Sequence, residues 1–522
     1  MKLSADIHHE RALTARDSGS YEVAELEFGL AVRDYQKAAE VGRSDSEIYE
    51  GLAETWIRQI EMAANRTKPF DRFFQGAMEA SNSLAAADSQ SPSGSLKRAF
   101  ALLMTMHLSG STQISSTKAA LCVQESLSVL AKQPDNPYAR EVYAMCNRIL
   151  AEIAINNGND PVPLFQLAIA ALEPALKRNP RFLWGINDLS TTYAILGEYL
   201  QSRGHSSAKE TLEKALHLTK QASALDPKYL TAPQNSLYVQ SLLVSATRTT
   251  EELRSVSLEA DSTINQCATI NPQFQQCYVN YFQVYARAAS RMALLGQDPQ
   301  SYLTIALDNL ATSRKLGGTL LDVEQNAALS HLTVAREALR KVQDPDPALA
   351  EMQDDLKRCF AVSAQDATCE TLAAKAAWVQ SDWRTSRGQQ GTSTLEGALA
   401  KAVLATQSPE ANPDAWQTLA ETYLRLARAG QNHPQMRDAY LEKGLSAAQK
   451  IYEINPNHAL GRATEGALRL LVAQSAQDPT VRQQVARKSV QLLELAIKLD
   501  PFLSTSYEPL TQAARQLANL VN

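Results

Sequence analysis

Asn412-Pro413-Asp414-Ala415-Trp416-Gln417-Thr418-Leu419-Ala420-Glu421-Thr422-Tyr423 opens a segment that closes at Asn455-Pro456, and the reading of that segment decides the fold. Its apolar residues recur at three- and four-residue steps: Trp416, Leu419, Ala420 and Tyr423, then Gly444, Ala448 and Ile451. No sustained alternation of the kind a strand requires is present. Two helices are predicted, separated by a polar break from Gly430 to Pro434. The closing proline stops the second helix, because it lacks an N–H and its predecessor avoids the helical region.

The same marks recur along the chain. Asn-Pro or Asp-Pro pairs stand at Asn136-Pro137, Asn179-Pro180, Asp226-Pro227, Asn271-Pro272, Asn412-Pro413, Asn455-Pro456 and Asp500-Pro501. Prolines 137, 180, 227 and 272 are 43, 47 and 45 apart; prolines 413, 456 and 501 are 43 and 45 apart. The 141 residues between 272 and 413 hold three further periods, with degenerate turns at Gly317-Gly318 and near Gln365-Asp366. Polar breaks at Asp88–Gly94 and Gly42–Asp45 carry the rhythm back toward the N-terminus. Self-similarity at this period signals stacked supersecondary units, none able to bury its apolar face alone. The expected organisation is one continuous array with units near 1–45, 46–90, 91–137, 138–180, 181–227, 228–272, 273–318, 319–366, 367–413, 414–456 and 457–501, then a terminal helix over 502–522.

Small residues recur on one stripe of the second helix: Ala168, Leu172 and Ala175; Ala215, Thr219 and Ala222; Ala260, Ile264 and Cys267; Ser489, Leu493 and Ala496. Two helices approach closely only where side chains are short. The first helix carries the complement, as in Tyr49-x-x-Leu52-Ala53-x-x-Trp56 and Ile186-x-x-Leu189-Ser190-x-x-Tyr193. With these residues the chain resembles the tetratricopeptide repeat (TPR) family, whose pattern is a bulky residue, Leu-Gly and Tyr, then spaced small residues and a proline. The resemblance implies an all-α, right-handed α-solenoid of about ten to eleven helix-turn-helix repeats. The period here is longer than the family's usual one, and the extra length lies between the two helices of a unit. Polar turns occupy it: Gly158-Asn159-Asp160-Pro161, Gly296-Gln297-Asp298-Pro299, Gln343-Asp344-Pro345 and Gln477-Asp478-Pro479. Glycine suits a left-handed helix end, and Asp caps the helix that follows. Long repeats with such turns resemble the C-terminal regions of some bacterial serine/threonine protein kinases.

Composition agrees with a helical array: 44% hydrophobic and 20% charged residues, and a net charge of −5 spread along the chain. No basic stripe is present, so no nucleic-acid partner is expected. No run approaches the ~20 apolar residues that span a bilayer. The polar N-terminus, with Asp6, His8, His9 and Glu10, is not a signal peptide, and a cytoplasmic location is expected. Catalytic signatures are missing: His9-Glu10 lacks the second histidine of a zinc-protease helix, and no phosphate-cradling loop, nucleophile elbow or kinase catalytic loop occurs. The reading is therefore no enzyme, no cofactor and no metal. Cys267/Cys277 and Cys359/Cys369 are each ten apart across a junction between units, a spacing open to disulfides. Because Cys267, Cys359 and Cys122 fall on the small stripe, packing as compact hydrophobes is taken over a redox or metal role.

Function then rests on surface. In the TPR family the first helices line a concave groove that holds a peptide or protein partner. By pattern, the groove residues are Trp184, Asn187 and Thr191 on one first helix and Gln417, Glu421 and Arg425 on another. Lys and Asn at the positions used to clamp chaperone tails are not found. Trp378 and Trp383 are five apart, so at most one is expected in the core. Pro174 falls inside a second helix and is expected to kink it. The first reading is a protein-interaction scaffold. Two alternatives stand beside it: the regulatory region of a larger bacterial serine/threonine kinase with its kinase domain upstream, and a structural array that self-associates through the apolar C-terminal end at Leu510, Leu517, Leu520 and Val521.

Overall fold

The computed structural model describes residues 1–66, 68–106, 112–317, 320–408, 412–431 and 433–519. Gly318, Leu520 and Val521, named above, lie outside them. Among the described residues the regular structure is helical throughout, apart from turns. The chain divides into two compact units: Met1–Leu196 with His217–Tyr229, and Gly197–Leu216 with Leu230–Asn522.

The first unit contains α1 (Lys2–Asp17), α2 (Tyr21–Val41), α3 (Ser46–Asn65), α4 (Asp71–Ala87), α5 (Ser93–Met106), α6 (Thr112–Lys132), α7 (Pro137–Asn156) and α8 (Val162–Arg178). The division between units passes through α9 (Leu183–Ser202) and α10 (Ala208–Leu225). The second unit continues with α11 (Thr231–Ala246), α12 (Thr250–Ile270), α13 (Gln275–Leu294), α14 (Gln300–Gly317), α15 (Leu321–Arg340), α16 (Asp346–Val362), α17 (Ala367–Ser386) and α18 (Thr392–Gln407). It ends with α19 (Pro413–Ala429), α20 (Pro434–Ile454), α21 (Ala459–Ser475), α22 (Pro479–Leu499) and α23 (Ser504–Asn519). This is a TPR-like helical-repeat fold.

Turn chemistry sets the helix ends. Asn136 and Asn412 cap α7 and α19, their side-chain oxygens accepting from Ala139 N at 3.0 Å and Ala415 N at 3.1 Å. The longer turns inside pairs share one left-handed closure. Gly158 has φ +71° and Gly296 φ +69°, and the next amide reaches back to a carbonyl five residues earlier, Asn159 N to Ala154 O at 2.8 Å and Gln297 N to Met292 O at 3.1 Å. At the equivalent turn before Asp344-Pro345 the left-handed residue is Val342, at φ +58°.

The small stripes are buried: Ala168, Leu172 and Ala175 in α8, and Ser489, Leu493 and Ala496 in α22. A Cβ on Gly444 would come within 2.9 Å of Leu468 Cδ2 and 3.2 Å of Tyr423 Cβ, the close approach the stripe exists to allow. Trp378 is in the core and donates its indole N–H to Thr422 Oγ1 at 3.1 Å, while Trp383 stays partly exposed under Arg387. Helix α8 runs through Pro174 without interruption.

Helices pack on their neighbours in sequence, and first helices also pack on the first helix of the next pair. In the first unit α1 meets α3, α3 meets α5 and α5 meets α7; in the second the series runs from α11 to α23 in odd steps. Second helices make no comparable contacts with each other among the described residues. Each unit therefore gathers its first helices on one inner face.

The second unit also folds back on itself through contacts between distant turns. Asn455 Nδ2 donates to Ser202 O at 3.0 Å and Asn457 Nδ2 to Gly204 O at 2.9 Å, contacts 253 residues apart. Arg291 forks onto Asp500 at 2.6 and 2.9 Å across 209 residues and stacks on the Phe502 ring at 4.0 Å. Phe502 is buried in the same core as Leu237, Cys277 and Phe282. Asn455 and Asp500 are themselves turn residues: their side-chain oxygens accept from Asn457 N and Phe502 N. One side chain closes a turn and ties it to a distant one. Leu510 and Leu517 are packed against α19, α21 and α22 instead of forming an open apolar end.

Candidate functional site

In the second unit the inner faces of five first helices converge on one polar chamber. Helix α15 contributes Arg336, α17 Lys375 and Asp382, α19 Asp414, Glu421 and Arg425, the cap of α21 His458, α21 itself Thr464, and α23 Tyr507; Arg336, Lys375, Arg425 and Tyr507 each feel charges of the others. Three of the expected site residues are brought together here. Their spacing of four puts Gln417, Glu421 and Arg425 on one edge of α19.

Their exposure differs from expectation. Gln417 is only 2% exposed and donates to Thr464 Oγ1 at 3.1 Å; Glu421 is 9% exposed and accepts from the same hydroxyl at 3.5 Å. Arg425 alone of the three reaches the open chamber. It forks onto Asp382 at 2.9 and 2.8 Å, lies 3.2 Å from Glu421 and covers the Trp378 ring at 4.9 Å. The physical reason is the packing of first helix on first helix, which encloses residues that a groove of isolated helices would display.

The chamber's three cations, Arg336, Lys375 and Arg425, face three carboxylates, Asp382, Asp414 and Glu421, but only Arg425 is ion-paired among the described residues. Asp414, its carboxyl largely open to solvent, meets His458 at 3.2 Å. Arg336 and Lys375 have no acidic partner within ion-pair distance among the described residues, although both remain partly open to solvent. Burial lowers the Lys375 ammonium, with Asp414 pulling the other way and Arg336 adding to the drop. Burial and the neighbouring Arg425 bring the Arg336 guanidinium down to about 10. Next to the chamber, Arg428, Gln431, Ala467, Leu470, Leu471 and Leu510 line part of a largely apolar cleft of about 430 Å³.

The other three expected residues lie on α9, in the first unit. Trp184 is 38% exposed, with the Arg58 guanidinium 4.9 Å above its ring. Asn187 is buried, and Thr191 is partly buried and donates to the Asn187 carbonyl at 3.1 Å. Arg58 is held by Glu54 at 2.7 Å and Glu61 at 3.1 Å. Against burial, Arg58 and Lys97 pull the Glu54 carboxyl down to about 2. Beside them Glu141 and Asp188 form a carboxyl pair. Burial first, then the neighbouring carboxylate, pushes Glu141 well above the usual range; burial raises Asp188, and Arg148 partly offsets that rise.

Sequence reasoning missed Arg336, Lys375, Glu141 and Asp188. One signal was present for Lys375, the sole charge between Glu370 and Asp382 in an otherwise small and apolar run. Cys359, Asp366 and Cys369 place three potential metal ligands within 4.8 Å of one another. Their chemistry is already committed: the sulfurs are bonded to each other, and Asp366 accepts from Cys369 N at 2.7 Å and from Gln325 Nε2 at 3.0 Å.

No family model matches the chain, and no curated protein is similar enough in sequence to match. Solved structures of repeat proteins do. Yeast Tom70 is 12% identical, with 97% of this chain and 96% of Tom70 covered at a TM-score of 0.42. A human IFIT1 dimer with PPP-AAAA is 11% identical over 95% of this chain and 94% of that one, at 0.44. TTC0263, a thermophilic TPR protein of Thermus thermophilus, is 19% identical over 42% of this chain and 93% of its own, at 0.29. The likeness is one of fold. Among the described residues no helix is long and apolar enough to cross a membrane.

Proposed function

We propose that this chain is a non-catalytic scaffold that holds a protein or peptide partner on the inner faces of its first helices. The observation that carries the reading is the chamber of the second unit, where Arg336 and Lys375 stand half-buried with no acid at ion-pair distance among the described residues, beside an apolar-lined cleft. A half-buried cation held away from its counter-charges loses part of its hydration, and an acidic side chain of a partner offsets that loss on binding. A peptide segment with an acidic side chain for these two cations and apolar residues for the cleft fits the site. Trp184, Asn187 and Thr191 form a second, weaker contact patch in this reading.

The test is affinity capture and chemical cross-linking of the native partner with wild-type protein, Lys375→Glu, Arg425→Glu, Trp184→Ala and the exposed control Lys450→Glu. Both chamber variants are expected to lose the partner at least tenfold, and the control to keep it. Equal capture by all variants refutes the assignment. The kinase-region alternative adds a catalytic domain upstream and leaves the binding role unchanged. It rests on the Gly-x-Asp-Pro turns, and the sequence of the full gene decides it.

A further inference from the structure

All six cysteines of this chain are paired, as Cys122–Cys146, Cys267–Cys277 and Cys359–Cys369, with Cα separations of 6.1, 6.5 and 6.7 Å. Those separations lie within the range that a disulfide spans without backbone movement. Each pair joins the second helix of one repeat to the first helix of the next: α6 to α7, α12 to α13 and α16 to α17. All six residues are buried.

Packing alone does not account for this pairing. Cys267 and Cys359 occupy the same place in their helices, since the capping amides of Asn271 and Ser363 donate to their carbonyls. Ala175, Ile451 and Ala496 hold that place elsewhere, bonded in the same way by Asn179, Asn455 and Asp500. Ten residues on, the partner position is Gly185 after Ala175 and Gly461 after Ile451, but Cys277 and Cys369 in the two cysteine junctions. A thiol acting only as a compact hydrophobe needs no second thiol opposite it. Here the two positions change together, twice, and a third pair does so at a different helix phase. No cysteine is left over.

We infer that the three junctions are closed by disulfides in the mature protein, and that the chain folds and acts in an oxidising compartment, so that its partner is an exported protein or an exported segment. This runs against the cytoplasmic location expected from the polar N-terminus, because reducing compartments keep thiols apart. At each junction two thiols lose two protons and two electrons. A disulfide-carrying oxidoreductase accepts the electrons through a mixed disulfide and leaves as a dithiol. The ten-residue spacing at two junctions lets the sulfurs meet while the repeat is still closing, before burial shuts them off from the oxidant. The claim about the junctions stands apart from the inner-face reading; only the nature of the partner rests on it.

The test is denaturation of protein isolated from its native cell directly into an alkylating agent, with and without prior reduction, followed by peptide mapping. The expected result is no alkylated cysteine without reduction, six with it, and three cross-linked peptides matching the three pairs. Six alkylated cysteines without reduction overturn the inference. Thermal melting supplies a second reading: dithiothreitol should lower the wild-type transition and leave unchanged a variant with all six cysteines replaced by alanine. A wild-type transition that ignores the reductant likewise overturns it. Partner loss in Lys375→Glu with the three cross-links intact, or the reverse, separates failure of one proposal from failure of the other.

Discussion

The inner faces of the two units are built by the same helix-on-helix packing and are left with opposite electrostatic debts. In the first unit, Arg58 and Lys97 are satisfied by Glu54 and Glu61, and the strained groups are the acids Glu141 and Asp188. In the second, Asp382 and Asp414 meet Arg425 and His458, and the groups left without an ion-pair partner among the described residues are the cations Arg336 and Lys375, on which Glu421, Asp382 and Asp414 act only from farther off. The repeat pattern supplies an enclosed face and leaves its sign open. A few side chains per helix decide which kind of partner group lowers the energy.

The largest expected effect tests whether the second unit is held by its own return contacts. Phe502→Ala removes a buried ring from the core around Phe282 and uncovers Arg291. A loss of about 3–5 kcal/mol is expected. Hydrogen exchange should quicken in the second unit and stay unchanged in α1 to α7; uniform quickening would show that the units do not differ in this way.

The carboxyl pair of the first unit gives the next effect. Glu141 and Asp188 titrate higher in the folded chain than in the unfolded one, so the folded state binds their protons more tightly. Their contribution is most favourable below the ordinary carboxyl range near about 4 and is lost as pH rises through the raised values. Glu141→Gln should therefore stabilise the protein at pH 8 by about 1–3 kcal/mol, the cost of a buried unsatisfied group, and have little effect at pH 4. Urea melts at the two pH values measure it. A gain of equal size at both would remove the shared proton from the comparison.

Lys375→Met should do in the second unit what Glu141→Gln does in the first, though more weakly because Lys375 keeps some solvent. A gain of up to about 1 kcal/mol at neutral pH is expected, together with loss of partner binding. Calorimetry that shows lower stability would mean that Lys375 already has its counter-charge. The smallest effect concerns a turn in the second unit. Val342, 79% exposed, holds the left-handed position that Gly158 and Gly296 hold elsewhere. Relief of strain in Val342→Gly, reduced by the greater freedom of glycine in the unfolded chain, leaves a net gain of about 0.5 kcal/mol. A loss in a chemical melt would contradict the turn's strain.

Much of the fold could be read from the chain because its causes are local. Asn136 and Asn412 cap the helices they precede, Gly158 and Gly296 turn left-handed, and the stripes at Ala168 and Ser489 are buried. Each depends on residues a few positions away. The candidate site was legible only in part. The edge carrying Gln417, Glu421 and Arg425 was found by helical spacing, yet the exposure of Gln417 depends on Thr464, 47 residues away. The cysteine pairs show the same limit: their spacing was visible, and their bonding was not.

The paired, repeating helices, the turns that end many of them and the stripes they bury were readable along the chain, since periodicity, capping and turn conformation act within a dozen residues. The clasp of Asn455 and Asp500 on turns more than two hundred residues away, and the meeting of Arg336 and Lys375 in one chamber with no acid at ion-pair distance, appear only in three dimensions. The physical reason is range. Propensity and hydrophobic spacing are summed along the chain, whereas desolvation and Coulomb energy depend on distance through space, which the repeat count alone does not specify.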